Sequence, residues 1–300
     1  MRAMTQLEVA LDSDWHYVVE RECGATPEHM QAMLDQMSDK VCNALPPSAL
    51  VEHTRIVYEA TAAQYAKNSE HENIPDALIR FMSLLPNNAF VVDVGCGSGR
   101  DAVFMTLKNS ATRKKFMRRM KDGKTAFERF GIPKCAFRVL GLDASEGMVR
   151  AAECLAQQKG MKLNVAHSRI AFQATTSDMH HLSELESARC LYDGVWSSAA
   201  LFMHTPEPFL EPALEGVAHL LQSGGIFGVS YANNPIGTPY NNLRYSRTGE
   251  VKYFSRPSPE RIVVAAADAG LLLLNEEYSD LEMAGTVKKK FFVSQFFRKV

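Results

Sequence analysis

One stretch of the sequence, FVVDVGCGSGRD at positions 90–101, limits the fold more strongly than any other. Its first half is apolar and β-branched apart from Asp93, which is typical of a strand buried in a parallel sheet. Gly95, Gly97 and Gly99 follow, and glycine permits both a tight turn and the close approach of a ligand to the backbone. The stretch therefore predicts a strand, a nucleotide-binding turn and the start of a helix.

The glycine spacing argues against a dinucleotide site. A dinucleotide fingerprint reads G-x-G-x-x-G, whereas here Arg100 stands where the third glycine belongs. An acid two residues before the first glycine suits a ligand with positive charge or hydrogen-bond donors better than a diphosphate. Residues 92–99, VDVGCGSG, resemble the first motif of class I S-adenosylmethionine-dependent methyltransferases. A glycine turn of another α/β protein stays open as the alternative at this point.

A second strand is predicted at 136–142, and it ends at Asp143. A carboxylate in this position accepts hydrogen bonds from both hydroxyls of a ribose, which would suit NAD as well. However, residues 141–148, GLDASEGM, resemble the second methyltransferase motif over their whole length. The resemblance implies that Asp143, Ala144 and Met148 contact the cofactor.

Two later segments extend the resemblance. Asp178 and Met179 follow the third predicted strand and resemble the position that binds adenine, where an acid accepts from the amino group and an apolar side chain covers the ring. The fourth predicted strand, at 192–199, resembles the motif whose small residues, here Ser197, admit the methionine part of the cofactor. The Asn/Asp-Pro-Pro-aromatic tetrad of methyltransferases that act on bases or glutamine is missing from it, which argues against exocyclic amines as targets.

Eleven residues are predicted to contact the cofactor, and one is predicted to be catalytic. The resemblance implies cofactor contacts from Tyr65, Gly95, Cys96, Gly97, Gly99, Asp143, Ala144, Met148, Asp178, Met179 and Ser197. Tyr65 is included because residues 58–66 resemble the segment before the first strand of such enzymes, although a core tyrosine is the alternative. His204 lies just past the fourth strand, where a general base could reach a bound hydroxyl, and it is the predicted catalytic residue. Its alternative role is to anchor the loop, and no metal site is expected because His180 and His181 lack a third ligand at a helpful spacing.

Composition limits the kinds of partner that the protein could bind and the compartment in which it could function. The net charge of −1 and the pI of about 6.8 give no electrostatic argument for binding nucleic acid or a membrane. The six cysteines follow no pairing pattern, which is typical of reduced thiols. No apolar run approaches the roughly 18 residues of a membrane-spanning helix. We therefore expect a cytoplasmic protein, and the resemblance implies that its partner is a small-molecule methyl acceptor.

The chain divides into an N-terminal helical extension at 1–52 and a methyltransferase domain at 53–300. The extension is either a cap over the active site or a dimerisation element, so a homodimer stays open. Residues 108–135 form a basic helical insertion, interpreted as a surface or oligomer element, with RNA or another polyanion as the alternative ligand. Residues 232–259 are polar and follow a strand, and we expect a substrate-binding loop there.

The predicted fold is α/β: a doubly wound, seven-stranded, mostly parallel sheet of the Rossmann-like class I methyltransferase type, with the helical extension in front. The resemblance implies S-adenosyl-L-methionine as cofactor and methyl transfer to an oxygen or nitrogen nucleophile of a small molecule. Two alternatives stay open. One is an RNA or protein methyltransferase that docks through the basic insertion, and the other is a cofactor-binding module without catalysis.

Overall fold

A computed structural model describes residues 27–69, 74–107, 137–160, 172–176, 191–233, 240–245, 250–283 and 286–300. The helices are α1 (Pro27–Ala44), α2 (Pro47–Ser69), α3 (Asp76–Ser83), α4 (Arg100–Thr106), α5 (Glu146–Gln158), α6 (Leu210–Leu220) and α7 (Pro259–Asp268). The strands are β1 (Phe90–Val94), β2 (Arg138–Asp143), β3 (Phe172–Thr176), β4 (Tyr192–Ser198), β5 (Leu221–Ala232), β6 (Asn241–Tyr245), β7 (Val251–Ser255), β8 (Leu271–Met283) and β9 (Thr286–Lys299). Short 3-10 turns cover Leu201–Met203 and Glu207–Phe209.

Seven of these strands form one sheet in the order β3-β2-β1-β4-β5-β9-β8. The first five pair in parallel, and β9 runs antiparallel to both of its neighbours. The order reverses between β1 and β4, and open α/β sheets bind ligands at such a switch point, outside the carboxyl ends of the strands. The predicted doubly wound, mostly parallel sheet is confirmed.

Apolar side chains project from both faces of the sheet, so each face has its own hydrophobic core. Val92 and Val195 belong to the cluster under α6 and α7, whereas their neighbours Val91 and Trp196 belong to the cluster under α3, α4 and α5. This alternation follows from the two-residue period of a strand. Helices on both faces hold the carboxyl ends of β1, β2 and β4 in a fixed arrangement, and the candidate site lies at these ends.

The expectation of an irregular loop at 232–259 is wrong for two parts of that segment. Strands β6 and β7 pair there as an antiparallel hairpin, with Leu243 opposite Tyr253. These two residues pack with Leu34, Val41 and other apolar residues of α1 and α2 in a small core of their own. These strands are hard to predict from sequence because each is short and carries polar residues, such as Arg244 and Lys252, between its apolar ones. We call α1 and this hairpin the cap.

Several sequence-based predictions lie outside the described residues, namely those for positions 1–26 and for the basic insertion at 108–135. The division of the chain at residue 52 stays a prediction. Within the described part of the chain, no helix combines the length and the apolar character needed to cross a membrane.

Candidate active site

The glycine turn folds against the end of β2. Gly95, Gly97 and Gly99 have φ angles of 69°, 53° and 80°, in the left-handed region that favours glycine. The backbone amides of Gly95 and Cys96 both donate to the carbonyl of Leu142, at 2.8 and 2.9 Å. The turn is therefore fixed beside Asp143, the next residue of β2.

Asp143 is held by backbone amides. Its Oδ2 accepts from the amide of Gly97 at 2.9 Å, and its Oδ1 accepts from the amide of Ser145 at 3.0 Å. Removal from water raises the pKa of the Asp143 carboxyl, and the hydrogen bonds from these amides oppose that rise. Each oxygen has a second lone pair, so the carboxylate can still accept two hydrogen bonds, as a ribose requires.

A cavity of about 70 Å³ lies between the glycine turn, the end of β4 and α2. Its lining includes seven of the predicted site residues: Tyr65, Gly95, Gly97, Asp143, Ala144, Met148 and His204. Asp143 and His204 thus face one space, although one ends β2 and the other follows the 3-10 turn after β4. The structure places these residues together, and their roles stay predictions.

The other predicted residues lie elsewhere. Ser197 is fully buried and accepts a hydrogen bond from the amide of Leu201 at 3.1 Å, whereas its neighbour Ser198 lines the cavity. Because side chains alternate along a strand, Ser198 faces the cavity and Ser197 does not, and a cofactor contact from Ser197 stays a prediction. Cys96 is buried, and neither it nor Gly99 lines the cavity. Asp178 and Met179 lie outside the described residues.

Asp93, the acid before the glycines, lies beneath the turn and does not line the cavity. Its side chain is buried, and Oδ2 has no hydrogen-bond partner among the described residues. Burial raises the pKa of the Asp93 carboxyl well above its usual range, and the neighbouring carboxylate of Asp101 adds to that rise. Asp101 itself accepts from Trp196 Nε1 at 3.0 Å. In this structure the pair supports the turn from below.

His204 follows the 3-10 turn after β4 and is 5% exposed. Its Nδ1 lies 3.1 Å from the carbonyl oxygen of Tyr253, and its Nε2 lies 3.0 Å from Tyr58 Oη. A carbonyl oxygen only accepts, so Nδ1 carries the proton of the neutral ring and Nε2 is the acceptor. His204 therefore anchors the cap, and its basic Nε2 lies beside the cavity, where it is hydrogen-bonded to Tyr58 Oη.

Three functional candidates escaped sequence analysis: Tyr58, Lys252 and Arg55. Tyr58 and Arg55 line the cavity, and Lys252 of β7 places Nζ 4.1 Å from the centre of the Tyr58 ring. A tyrosine or arginine on a helix and a lysine in a polar segment carry no local signal of function. Only the folded chain brings them to the site.

Two tyrosines make the cavity narrow. A Cβ at Gly97 would stand 3.5 Å from Cε1 of Tyr65, so this ring covers the glycine turn. The rings of Tyr58 and Tyr65 meet edge to face, 5.8 Å apart. Ligand cavities commonly measure about 300–1,000 Å³, so the cavity in this structure is smaller than a nucleoside-sized ligand requires.

A larger cavity of about 550 Å³ lies beside the site, between α2, α4 and α5. It borders Ser98 and Arg100 but contains neither Asp143 nor His204. We place the active site at the smaller cavity, because the switch point and the converging polar groups are there. No group of three or more potential metal ligands occurs within the described ranges.

Solved structures of other proteins superpose on most of the chain. A SAM-dependent methyltransferase from Methanosarcina mazei gives a TM-score of 0.51 at 14% identity, over 72% of this chain and 94% of that one. A TehB-like SAM-dependent methyltransferase from Corynebacterium glutamicum gives 0.51 at 16%, over 81% and 99%. The 1,6-didemethyltoxoflavin-N1-methyltransferase of Burkholderia thailandensis, with 1,6-didemethyltoxoflavin and S-adenosylhomocysteine bound, gives 0.54 at 14%, over 85% and 91%.

The fold is that of the class I SAM-dependent methyltransferases. At these identities the likeness concerns the fold alone. No protein-family model and no curated protein sequence matches the chain. The residues at the switch point fit S-adenosylmethionine, because the carboxylate of Asp143, which can accept hydrogen bonds from a ribose, lies there beside the glycine turn.

Glu59 joins α2 to the N-terminus of α5 beside the site. Its carboxylate accepts from Ser145 Oγ and from the amide of Gly147, each at 2.7 Å, and pairs with Arg150. These contacts, above all the Gly147 amide, lower the pKa of Glu59 below 4.5. Glu59 therefore stabilises the folded chain above the unfolded pKa, and this contribution disappears as the pH falls through the lowered folded pKa.

We expect Glu59→Gln to lower the free energy of unfolding by about 1 kcal/mol at pH 7, after allowance for solvent screening. The difference from the wild type should shrink as the pH falls below 4.5, the ordinary value for glutamate. Urea unfolding at pH 7 and at pH 3 measures it, with Glu153→Gln on α5 as the matched control. An unchanged difference at pH 3 would contradict the role of the Glu59 charge.

Proposed function

We propose that the protein is an S-adenosylmethionine-dependent methyltransferase that acts on an oxygen or nitrogen nucleophile of a small molecule. The observation that carries the proposal is the position of Asp143 and His204 on one cavity at the switch point of a methyltransferase fold. The Asp143 carboxylate suits the hydroxyls of a ribose, and the His204 imidazole suits a nucleophile that must lose a proton. The space between them is lined by Ser198, Ala199 and Ala200, which are small enough to let a ligand cross the end of β4.

The residues of the chain divide the work of the reaction. Asp143 would hold the ribose hydroxyls, and the backbone of Gly95 and Gly97 would allow close contact with the rest of the cofactor. The cofactor supplies a methyl group on a positively charged sulfur, which is already activated for displacement. Tyr58 and Tyr65 would exclude water, so that the protein contributes mainly positioning and desolvation.

The acceptor is proposed to be small because the cap covers the site. Ser255 Oγ donates to the carbonyl of Phe202 at 3.1 Å and accepts from the amide of Thr205 at 3.0 Å. Tyr240 Oη donates to the carbonyl of Thr205 at 3.0 Å. These contacts fix the hairpin over the turn that carries His204, and they leave little room for a macromolecular substrate. We also propose that the protein is cytoplasmic and that its methyl acceptor is not a nucleic acid.

Calorimetric titration with S-adenosylmethionine, S-adenosylhomocysteine and NAD tests the cofactor. We expect micromolar binding of the first two and none of NAD, since the third glycine of a pyrophosphate-binding turn is replaced by Arg100. Binding of NAD alone would overturn the proposal. Transfer of a labelled methyl group into a small-molecule extract, but not into RNA or protein fractions, would support the acceptor class. Cofactor binding without any transfer would favour a non-catalytic module.

A further inference from the structure

We propose that Tyr58 and His204 form a proton relay for an acceptor hydroxyl, and that Lys252 is the positioning residue beneath it. The inference rests on the proposed function and names the nucleophile, which would be an oxygen. Tyr58 Oη would accept the proton of the hydroxyl and pass its own proton to His204 Nε2.

The hydrogen bonds of His204 run one way. Nδ1–H donates to the backbone carbonyl of Tyr253 at 3.1 Å, which leaves Nε2 as an acceptor. Tyr58 Oη lies 3.0 Å from Nε2 and therefore donates to it. The imidazole is also held by ring contacts with Tyr58 and Phe254, at 5.4 and 4.9 Å between centres. The lone pair of the base is thus occupied by a phenol and is not directly open to the cavity.

The free acceptor at the cavity is consequently Tyr58 Oη. A phenol oxygen that donates its one proton still has lone pairs to accept another. Burial is the main cause that raises the pKa of the Tyr58 phenol well above its usual range, and Tyr65 and Asp143 add to it. Tyr58 therefore stays neutral, and it serves as a conductor of the proton while His204 is the final base.

The proposed step balances. The acceptor oxygen forms a bond to the methyl carbon as the carbon–sulfur bond breaks and leaves its electron pair on sulfur. The hydroxyl proton moves to Tyr58 Oη, and the Tyr58 proton moves to His204 Nε2. The positive charge lost at sulfur reappears on the imidazolium, so the net charge of the site is unchanged.

Lys252 acts through Tyr58. It is 6% exposed, and its Nζ lies over the face of the Tyr58 ring at 4.1 Å from the centre. The carbonyls on either side of it are both bound by histidines: Val251 by Nε2 of His53 at 2.7 Å and Tyr253 by Nδ1 of His204. The backbone of Lys252 is therefore fixed to the same two elements, α2 and the turn after β4, that carry the relay.

The charge of Lys252 bears on the relay because Lys252 and His204 are both buried, and charges interact more strongly away from water. Burial lowers the pKa of the Lys252 amine to about 8, and the nearby carboxylate of Glu250 opposes that fall. The other charged groups near the relay are Arg244, directly opposite Lys252 in the hairpin register, Asp143, which acts on Tyr58, and Arg55, which lines the cavity. A cation on Lys252 disfavours a second cation on His204, so the amine sets the pH range over which His204 can accept a proton.

Nuclear magnetic resonance of the histidine C–H signals tests the coupling in the full chain, with and without S-adenosylhomocysteine. The His204 signal is assigned by its loss in His204→Asn. We expect Lys252→Met to move the midpoint of the His204 titration up by about half a unit to one unit, and Lys252→Arg, which keeps the positive charge, to leave it at the wild-type value. Equal titrations in all three proteins would overturn the role of Lys252.

Methyl transfer tests the relay itself. Labelled S-adenosylmethionine is offered with a panel of phenols and alcohols and with the matching primary amines. We expect label in the hydroxyl compounds, and a fall in kcat of about 100-fold in Tyr58→Phe with the affinity for S-adenosylhomocysteine within about threefold of the wild type. Tyr231→Phe deletes another buried tyrosine hydroxyl, which donates to Gln295 at 2.8 Å and takes no part in the relay, so it should keep the wild-type kcat.

The outcomes separate the two proposals. Label confined to the amines, or equal kcat in Tyr58→Phe and the wild type, would overturn the relay while leaving the methyltransferase in place. Failure of the wild type to bind S-adenosylhomocysteine would overturn the proposed function and the relay together.

Discussion

Asp143→Ala is expected to weaken the binding of S-adenosylhomocysteine by about 100-fold or more, because two hydrogen bonds to a charged acceptor are lost together. A charged acceptor contributes about 1.5–3 kcal/mol per bond, and about 1.4 kcal/mol corresponds to a factor of ten. The substitution also frees the amides of Gly97 and Ser145, which Asp143 holds at 2.9 and 3.0 Å. Isothermal titration calorimetry on the variant and the wild type measures the loss.

A matched control separates cofactor binding from stability. Asp193 is another strand-borne acid with two acceptor contacts, to the amide of Phe90 and the side chain of Gln222, each at 2.7 Å. It starts β4 at the amino end of the sheet, opposite the site. Asp193→Ala should therefore lower stability and leave the affinity unchanged. Equal affinities in Asp143→Ala and the wild type would contradict the assigned role of Asp143.

The part of the site that could be predicted from sequence is the part that is local in the chain. The glycine turn and Asp143 each sit at the end of a strand, and the carboxyl ends of parallel strands necessarily meet at one edge. His204 could be placed near them for the same reason. The sequence could not decide whether Ser197 or Ser198 faces the cavity, because a shift of one residue moves a side chain to the other face of a strand.

The other part of the site depends on contacts between distant segments. Tyr58 and His204 are separated by 146 residues, and the hydrogen bond between them is a property of the folded chain. Lys252 lies in a hairpin whose strand pattern is weak, since Arg244 and Lys252 face each other where apolar residues would be expected. What stabilises the hairpin is the opposite face from Arg244 and Lys252, where Leu243 and Tyr253 complete the small core of the cap. Local propensity cannot report a packing partner far away in sequence.

Gly99→Ala is expected to lower the free energy of unfolding by about 2–5 kcal/mol, which combines backbone strain with overpacking. Gly99 has a φ of 80° at the N-terminus of α4, and a Cβ there would stand 2.8 Å from Cβ of Ala152 and 3.1 Å from its Cα. The backbone strain arises because alanine disfavours the left-handed region. The overpacking arises because α4 and α5 meet at this point. Equilibrium unfolding in urea measures the sum.

Gly160 provides the control that divides this sum. Its φ is 71°, close to that of Gly99, but a Cβ on it would meet nothing within 4 Å. Gly160→Ala should therefore cost only the conformational part, about 1–2 kcal/mol. Adding Ala152→Gly to Gly99→Ala should recover part of the difference, because it removes the nearer of the two clashing atoms. Equal losses in the two single variants would show that the glycine is needed for its backbone angle alone. Unequal losses would show that the third glycine of the turn holds α5, and with it Met148, at the edge of the cavity.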